Sequence, residues 1–169
     1  MEERKVTFLG NPLTLEGTPP SVGAPLPGFT ALDNGLAPVD IASFRGKVVV
    51  ISVVPSLDTP VCDAQTRKFN QAATGFSPDV VVVTLSMDLP FAQKRWCGAA
   101  GVDRVVTLSD HRDAAFGRAC GLLIRELRLL SRAVLVLDRE GVVRYVQVLD
   151  EITHEPDYEA ALDAVRRLG

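Results

Sequence analysis

The sequence is short of the residues that build metal centres and disulfide scaffolds. Its 169 residues contain three cysteines, Cys62, Cys97 and Cys120, and two histidines, His111 and His154. Three scattered thiols are too few for a secreted disulfide framework. Their spacings fit no zinc-ligand pattern with either histidine, so no metal is expected. No second cysteine stands at C-x-x-C spacing from any of them, which removes a thioredoxin-type dithiol. No apolar run approaches the length needed to cross a bilayer. The amino end, Met1-Glu2-Glu3-Arg4-Lys5, has no signal-peptide h-region, and a cytoplasmic protein is the expectation. The net charge of -3 leaves no electrostatic case for nucleic acid or an anionic membrane as partner.

What remains is a chain that can fold on its own. Hydrophobic residues make up 47% of it, mixed with charges of both signs, which argues for a globular protein. Its length fits one domain spanning 1–169 with a substantial core.

The most informative stretch is Pro55-Ser56-Leu57-Asp58-Thr59-Pro60-Val61-Cys62. It follows the apolar run 48–54, which reads as a strand buried on both faces. It precedes a helical pattern in which Phe69, Ala72, Ala73 and Phe76 fall at i, i+3, i+4 and i+7. Thr59 suits the N-cap, Pro60 the first helical position, and Asp63 the first turn. Cys62 then sits where unpaired backbone N–H groups and the helix dipole favour a thiolate, the reactive form of cysteine. The plainer alternative is a buried, inert thiol, the commonest state of free cysteine.

The rest of the chain alternates strands and helices. A hairpin is expected over 1–16, with strands 6–9 and 12–15 joined by Gly10-Asn11. A stiff Pro/Gly-rich connector follows at 18–28. A short strand at 29–32 ends in the turn Asp33-Asn34-Gly35, and a single helical turn is expected over 41–46. Strands are expected at 80–86 and 105–109. Between them lies a helix capped by Asp88, opened by Pro90 and stopped by Gly98. A short helix follows at 113–119. Strands 133–137 and 142–148 form a hairpin across Asp138-Arg139-Glu140-Gly141, and a last helix starts at Pro156. The pattern describes an α/β protein with a mixed central sheet flanked by helices, compatible with a thioredoxin-like fold.

These residues carry a resemblance. The pattern Pro55-x-x-x-Thr59-x-x-Cys62 resembles the active-site loop of peroxiredoxins. Arg67-Lys68-Phe69-Asn70-Gln71, Asp88-Leu89-Pro90-Phe91-Ala92-Gln93 leading to Cys97-Gly98-Ala99, and Asp150-Glu151-Ile152-Thr153 are similar to the thiol peroxidase branch, the atypical two-cysteine peroxiredoxins. So is the opening Phe8-Leu9-Gly10-Asn11-Pro12. The likeness covers nearly the whole chain and implies a thioredoxin-like fold and a cofactor-free peroxidase. Cys62 would be the peroxidatic cysteine and Cys97 the resolving one, forming a disulfide that thioredoxin reduces. Arg132 would contact the cysteine and hold the peroxide oxygens. Thr59 would hydrogen-bond sulfur and peroxide, and Pro55 would shield the sulfur from water. Hydrogen peroxide or an alkyl hydroperoxide would be the substrate, and a homodimer the assembly.

Without the resemblance, Cys97 reads as a helix-end cysteine packed beside Trp96, and Arg132 as a surface charge. Cys120 reads as a structural thiol. The leucine-rich stretch 122–130 fits the family poorly and reads as a packed loop, a dimer surface or part of a substrate pocket. A non-enzymatic redox sensor using the same cysteine pair is the competing function. A disulfide reductase is disfavoured by the missing C-x-x-C.

Overall fold

Runs of valine form the middle of the sheet because both of its faces are covered. The computed structural model describes residues 3–101 and 105–168. Strand β5 (Val48–Val53) is buried at every position. It runs parallel to β6 (Val80–Ser86), which runs parallel to β7 (Val105–Ser109). On the other side, β5 pairs antiparallel with β10 (Ala133–Leu137), which pairs antiparallel with β11 (Val143–Val148). The short strands β3 (Thr30–Leu32) and β4 (Pro38–Asp40) complete seven strands in the order β11-β10-β5-β6-β7-β3-β4.

A second, four-stranded sheet is ordered β1-β2-β8-β9. It joins the amino-terminal hairpin, β1 (Arg4–Phe8) and β2 (Asn11–Glu16), to β8 (Leu123–Ile124) and β9 (Leu129–Leu130). The stretch 122–130 is therefore a small buried hairpin added to the sheet rather than an irregular loop, with Leu122, Ile124 and Leu130 fully buried. Two-residue strands carry too little alternation to be read from sequence. The amino-terminal turn is centred on Leu9-Gly10, one residue earlier than the expected Gly10-Asn11, because Phe8 pairs with Asn11. Met1 and Glu2 of the expected hairpin lie outside the described residues.

Helices α1 (Pro60–Ala73) and α4 (Tyr158–Leu168) cover one face of the large sheet. Phe69, Ala161, Leu162 and Val165 pack there on Val48, Val50, Val82, Val134 and Val136. Burying Phe69 completely contributes about 2–3 kcal/mol. Helix α3 (Ala115–Ala119) lies on the other face, where Phe116 meets Phe29 with ring centroids 4.9 Å apart. A 3-10 turn over Ile41–Phe44 precedes β5, within the helical turn expected there.

Helix α2 (Pro90–Ala100) departs from expectation at both ends. It passes through Gly98 and stops at Gly101, whose left-handed backbone (φ 67°) lets its N–H cap the Cys97 carbonyl. Its N-cap is Leu89, not Asp88. The Asp88 carboxylate instead accepts hydrogen bonds from Ser56 Oγ (2.8 Å), Leu57 N (2.8 Å) and Ser86 Oγ (2.7 Å). A carboxylate offered two donors by the neighbouring loop and a third by the end of β6 satisfies those groups better than its own helix start would.

Candidate active site

The loop from Pro55 to Thr59 leaves the carboxyl end of β5 and feeds directly into α1. Pro60 at the first helical position has no N–H to lose, and its ring presets the helical φ. The first intrahelical bond runs from Asp63 N to Thr59 O at 2.9 Å. The amides of Val61 and Cys62 precede it and point out of the helix start, making that end electropositive. Cys62 sits there fully buried in a small cluster with Val54 and Leu57, against which Trp96 packs.

Arg132 comes to meet it from the start of β10, which lies beside β5. The residue is 2% exposed, and its guanidinium donates from all three nitrogens. Nη2 reaches Cys62 Sγ at 3.2 Å, Nη1 reaches Gln65 Oε1 at 2.8 Å, and Nε reaches the Ile152 carbonyl at 2.8 Å. Among the described residues Arg132 makes no ion pair with a carboxylate. A buried guanidinium without an anion is costly, on the order of several kcal/mol. Of the three acceptors it touches, only the sulfur can become negative, so the cluster is electrically complete when Cys62 is a thiolate.

Gln65 is the partner that sequence reasoning missed. It is fully buried one helical turn after Cys62, and its Nε2 donates to Ser52 Oγ at 2.8 Å. It therefore links strand β5 to the guanidinium. The available signal was a long polar side chain on the helix face that also carries Phe69, where an apolar residue is the norm.

Pro55 is buried and lines the mouth of the site together with Phe8, Leu9, Thr59, Val61, Arg132, Ile152 and Thr153. They enclose an open depression of about 250 Å³ with almost wholly apolar walls. Thr59 lines it, but its hydroxyl donates to the Ser56 carbonyl at 3.0 Å rather than to the sulfur. The structure thus brings Pro55, Thr59, Cys62 and Arg132 together and leaves Cys97 outside the group.

Cys97 is half-buried in the last turn of α2, with Sγ 3.9 Å from the Thr107 hydroxyl on β7. Burial pushes its thiol above the ordinary value, and the Thr107 contact offsets this only in part. Its neighbour Trp96 points the other way, toward α1. There Nε1 donates to Asp63 Oδ2 at 3.0 Å, and the ring lies 5.6 Å from the Arg67 guanidinium. Arg67 also pairs with Asp63 and donates to the Ala100 carbonyl at 3.2 Å. The three cysteines are free thiols. Cys120 is buried beside Asp110; desolvation first, and that charge second, push its thiol up to about 12. No group of three or more metal-ligating side chains occurs among the described residues.

Comparison with known proteins defines the class. Residues 21–162 match the Redoxin family model. The thiol peroxidase of Halalkalibacterium halodurans is 55% identical over 161 residues, 95% of this chain and 96% of that protein. The thiol peroxidase of Bacillus subtilis is 53% identical over 97% of this chain and 98% of that one. A peroxiredoxin-like protein from Aquifex aeolicus has the same fold, with a TM-score of 0.91, 40% identity and complete coverage of both chains. The chain belongs to the redoxins and, within them, to the thiol peroxidase family. It is a thiol-dependent peroxidase with a thioredoxin-like fold, and its substrates are a peroxide and a reducing thiol.

Proposed function

We propose that Cys62 is the peroxidatic cysteine, and the observation that carries this is the buried Arg132 guanidinium 3.2 Å from its sulfur. Hydrogen peroxide or an alkyl hydroperoxide enters the depression with one oxygen directed at the sulfur. The thiolate attacks that oxygen and the O–O bond breaks. The departing oxygen takes a proton and leaves as water or alcohol, and Cys62 becomes a sulfenic acid. Arg132 and the amides at the start of α1 stabilise charge as it moves from sulfur to the leaving oxygen. Pro55 and the apolar walls keep bulk water away. The Thr59 hydroxyl, at the rim, turns from Ser56 to the bound peroxide.

Cys97 is the resolving thiol. Its sulfur displaces hydroxide from the sulfenic acid, water is released, and an intramolecular Cys62–Cys97 disulfide forms. Because Trp96 packs on the cluster around Cys62 while Cys97 lies against Thr107, the end of α2 unwinds before the two sulfurs meet. A dithiol protein, thioredoxin, then attacks the disulfide, is itself oxidised, and returns both thiols. Three scattered cysteines form no secreted disulfide framework, which supports a cytoplasmic location. The exposed Leu89 and Phe91 at the start of α2 offer an apolar surface for a second copy in a homodimer.

The test is peroxide consumption followed by non-reducing peptide mapping. Cys62→Ser is expected to be inactive. Cys97→Ser retains one rapid oxidation but loses thioredoxin-driven turnover. Wild-type turnover in Cys62→Ser, or a first disulfide that involves Cys120, overturns the assignment.

A further inference from the structure

Two sequence stretches far apart in the chain, Phe8-Leu9-Gly10 and Glu151-Ile152-Thr153, are tied together beside Arg132 by one carboxylate. Glu151 accepts five hydrogen bonds. On the hairpin they come from Thr7 Oγ1 (2.8 Å), Leu9 N (3.2 Å) and Gly10 N (2.9 Å). On its own strand end they come from Thr153 N (3.0 Å) and Thr153 Oγ1 (2.7 Å). The Gly10 amide first, then the Thr153 hydroxyl, hold its pKa well below the ordinary carboxylate range, so the clamp stays charged.

The turn it grips is otherwise poorly placed. Leu9 has φ 51°, a left-handed backbone that a leucine rarely adopts outside a constrained site. Leu9 is 70% exposed and Phe8 42%, so no core packing repays that conformation. Both side chains instead line the depression shared with Pro55, Val61 and Arg132, the residue that reaches Cys62. The depression, about 250 Å³, holds far more than a hydrogen peroxide molecule, since one water takes up only about 30 Å³ of liquid. Its apolar walls give the excess room to hydrocarbon.

We propose that Glu151 is a positioning residue for substrate selection: it fixes the Phe8–Leu9 tip as the wall against which the organic group of an alkyl hydroperoxide packs. This rests on Cys62 being the peroxidatic cysteine. The seat of Arg132 does not depend on the clamp, because the Ile152 backbone is held separately: Ile152 N donates to Thr7 O at 2.9 Å and Thr7 N to Asp150 O at 2.7 Å. Loss of the carboxylate therefore frees the tip and leaves the guanidinium in place.

The experiment is single-turnover oxidation of the full chain by cumene hydroperoxide and by hydrogen peroxide, read as the ratio of the two rate constants. In Glu151→Gln that ratio is expected to fall about tenfold, the loss of roughly one packed apolar contact surface. Leu9→Asn suits the left-handed backbone, removes the apolar wall, and is expected to lower the ratio similarly even if Glu151→Gln folds poorly. A ratio unchanged in both variants overturns the proposal, whatever happens to the absolute rates. A wild-type Cys62 that neither peroxide oxidises overturns the underlying assignment instead, and is recognised before any variant is made.

Discussion

The surroundings of Cys62 and Cys97 differ in how firmly they are held. Cys62 is held among groups that are themselves anchored: Arg132 by Gln65 and Ile152, Gln65 by Ser52, and the preceding loop by Asp88. Among the described residues the Cys97 thiol has one weak hydrogen-bond contact, to Thr107, in the last turn of a helix whose end is tied to α1 by Trp96, Asp63 and Arg67. Rigid preorganisation serves the sulfur that meets a small, short-lived substrate, because a transition state is stabilised only by groups already in position. A loosely seated sulfur serves the step that follows, because the second thiol must travel. The difference is one of anchoring as much as of chemistry.

The largest way to break this contrast is to remove the anchor. Arg132→Ala is expected to slow the first oxidation by peroxide about 10²–10³-fold, the usual cost of losing a preorganised charge stabiliser. Stopped-flow oxidation measures it. Arg132→Lys recovers only part, since an ammonium cannot reach sulfur, Gln65 and the Ile152 carbonyl together. An Arg132→Ala protein oxidised at near wild-type rate would leave the buried guanidinium with no catalytic part.

A smaller effect tests the tie on the other cysteine. Trp96→Phe keeps an aromatic ring on the cluster around Cys62 but deletes the indole donor to Asp63. At this half-exposed position that bond contributes about 1 kcal/mol. Disulfide formation after one equivalent of peroxide is expected to quicken about fivefold, measured by rapid quench and alkylation, while the preceding oxidation of Cys62 is little changed. Slower disulfide formation would show that the tie guides Cys97 rather than restrains it.

The smallest perturbation is alkylation of the reduced protein at pH 8. Burial raises both Cys97 and Cys120, the latter to about 12, so less of each is thiolate than in a free cysteine at that pH. Mass mapping with iodoacetamide is expected to label Cys97 slowly and Cys120 only after denaturation. As the pH rises, Cys97 labelling should increase well before that of Cys120.

How much of this was legible in advance depends on the range of the forces involved. The central strands, the Thr59-Pro60 helix start and the position of Cys62 in the first turn follow rules that operate within a few residues, and they could be read along the chain. The end of α2 could not: Gly98 looks like a stop, yet the helix runs on to Ala100 because Gly101 provides the left-handed cap and Arg67 donates to the Ala100 carbonyl. Asp88 has the profile of an N-cap, but donors from the loop at Ser56 and Leu57 compete for it and win. The strands β8 and β9 are each too short to leave a periodic trace.

By itself the amino-acid sequence settled the local chemistry: a thiol at a helix start, a proline that opens that helix, and strands apolar enough to lie in the interior. Tertiary structure decided which groups meet that thiol. Cys62 and Arg132 are 70 residues apart and touch because β10 pairs with β5; Glu151 reaches the Leu9 amide across 142 residues because the hairpin docks on the strand end after β11. Backbone propensities act over one helical turn, whereas the convergence of distant side chains is set by sheet order. That order is selected by the burial of the whole apolar surface at once.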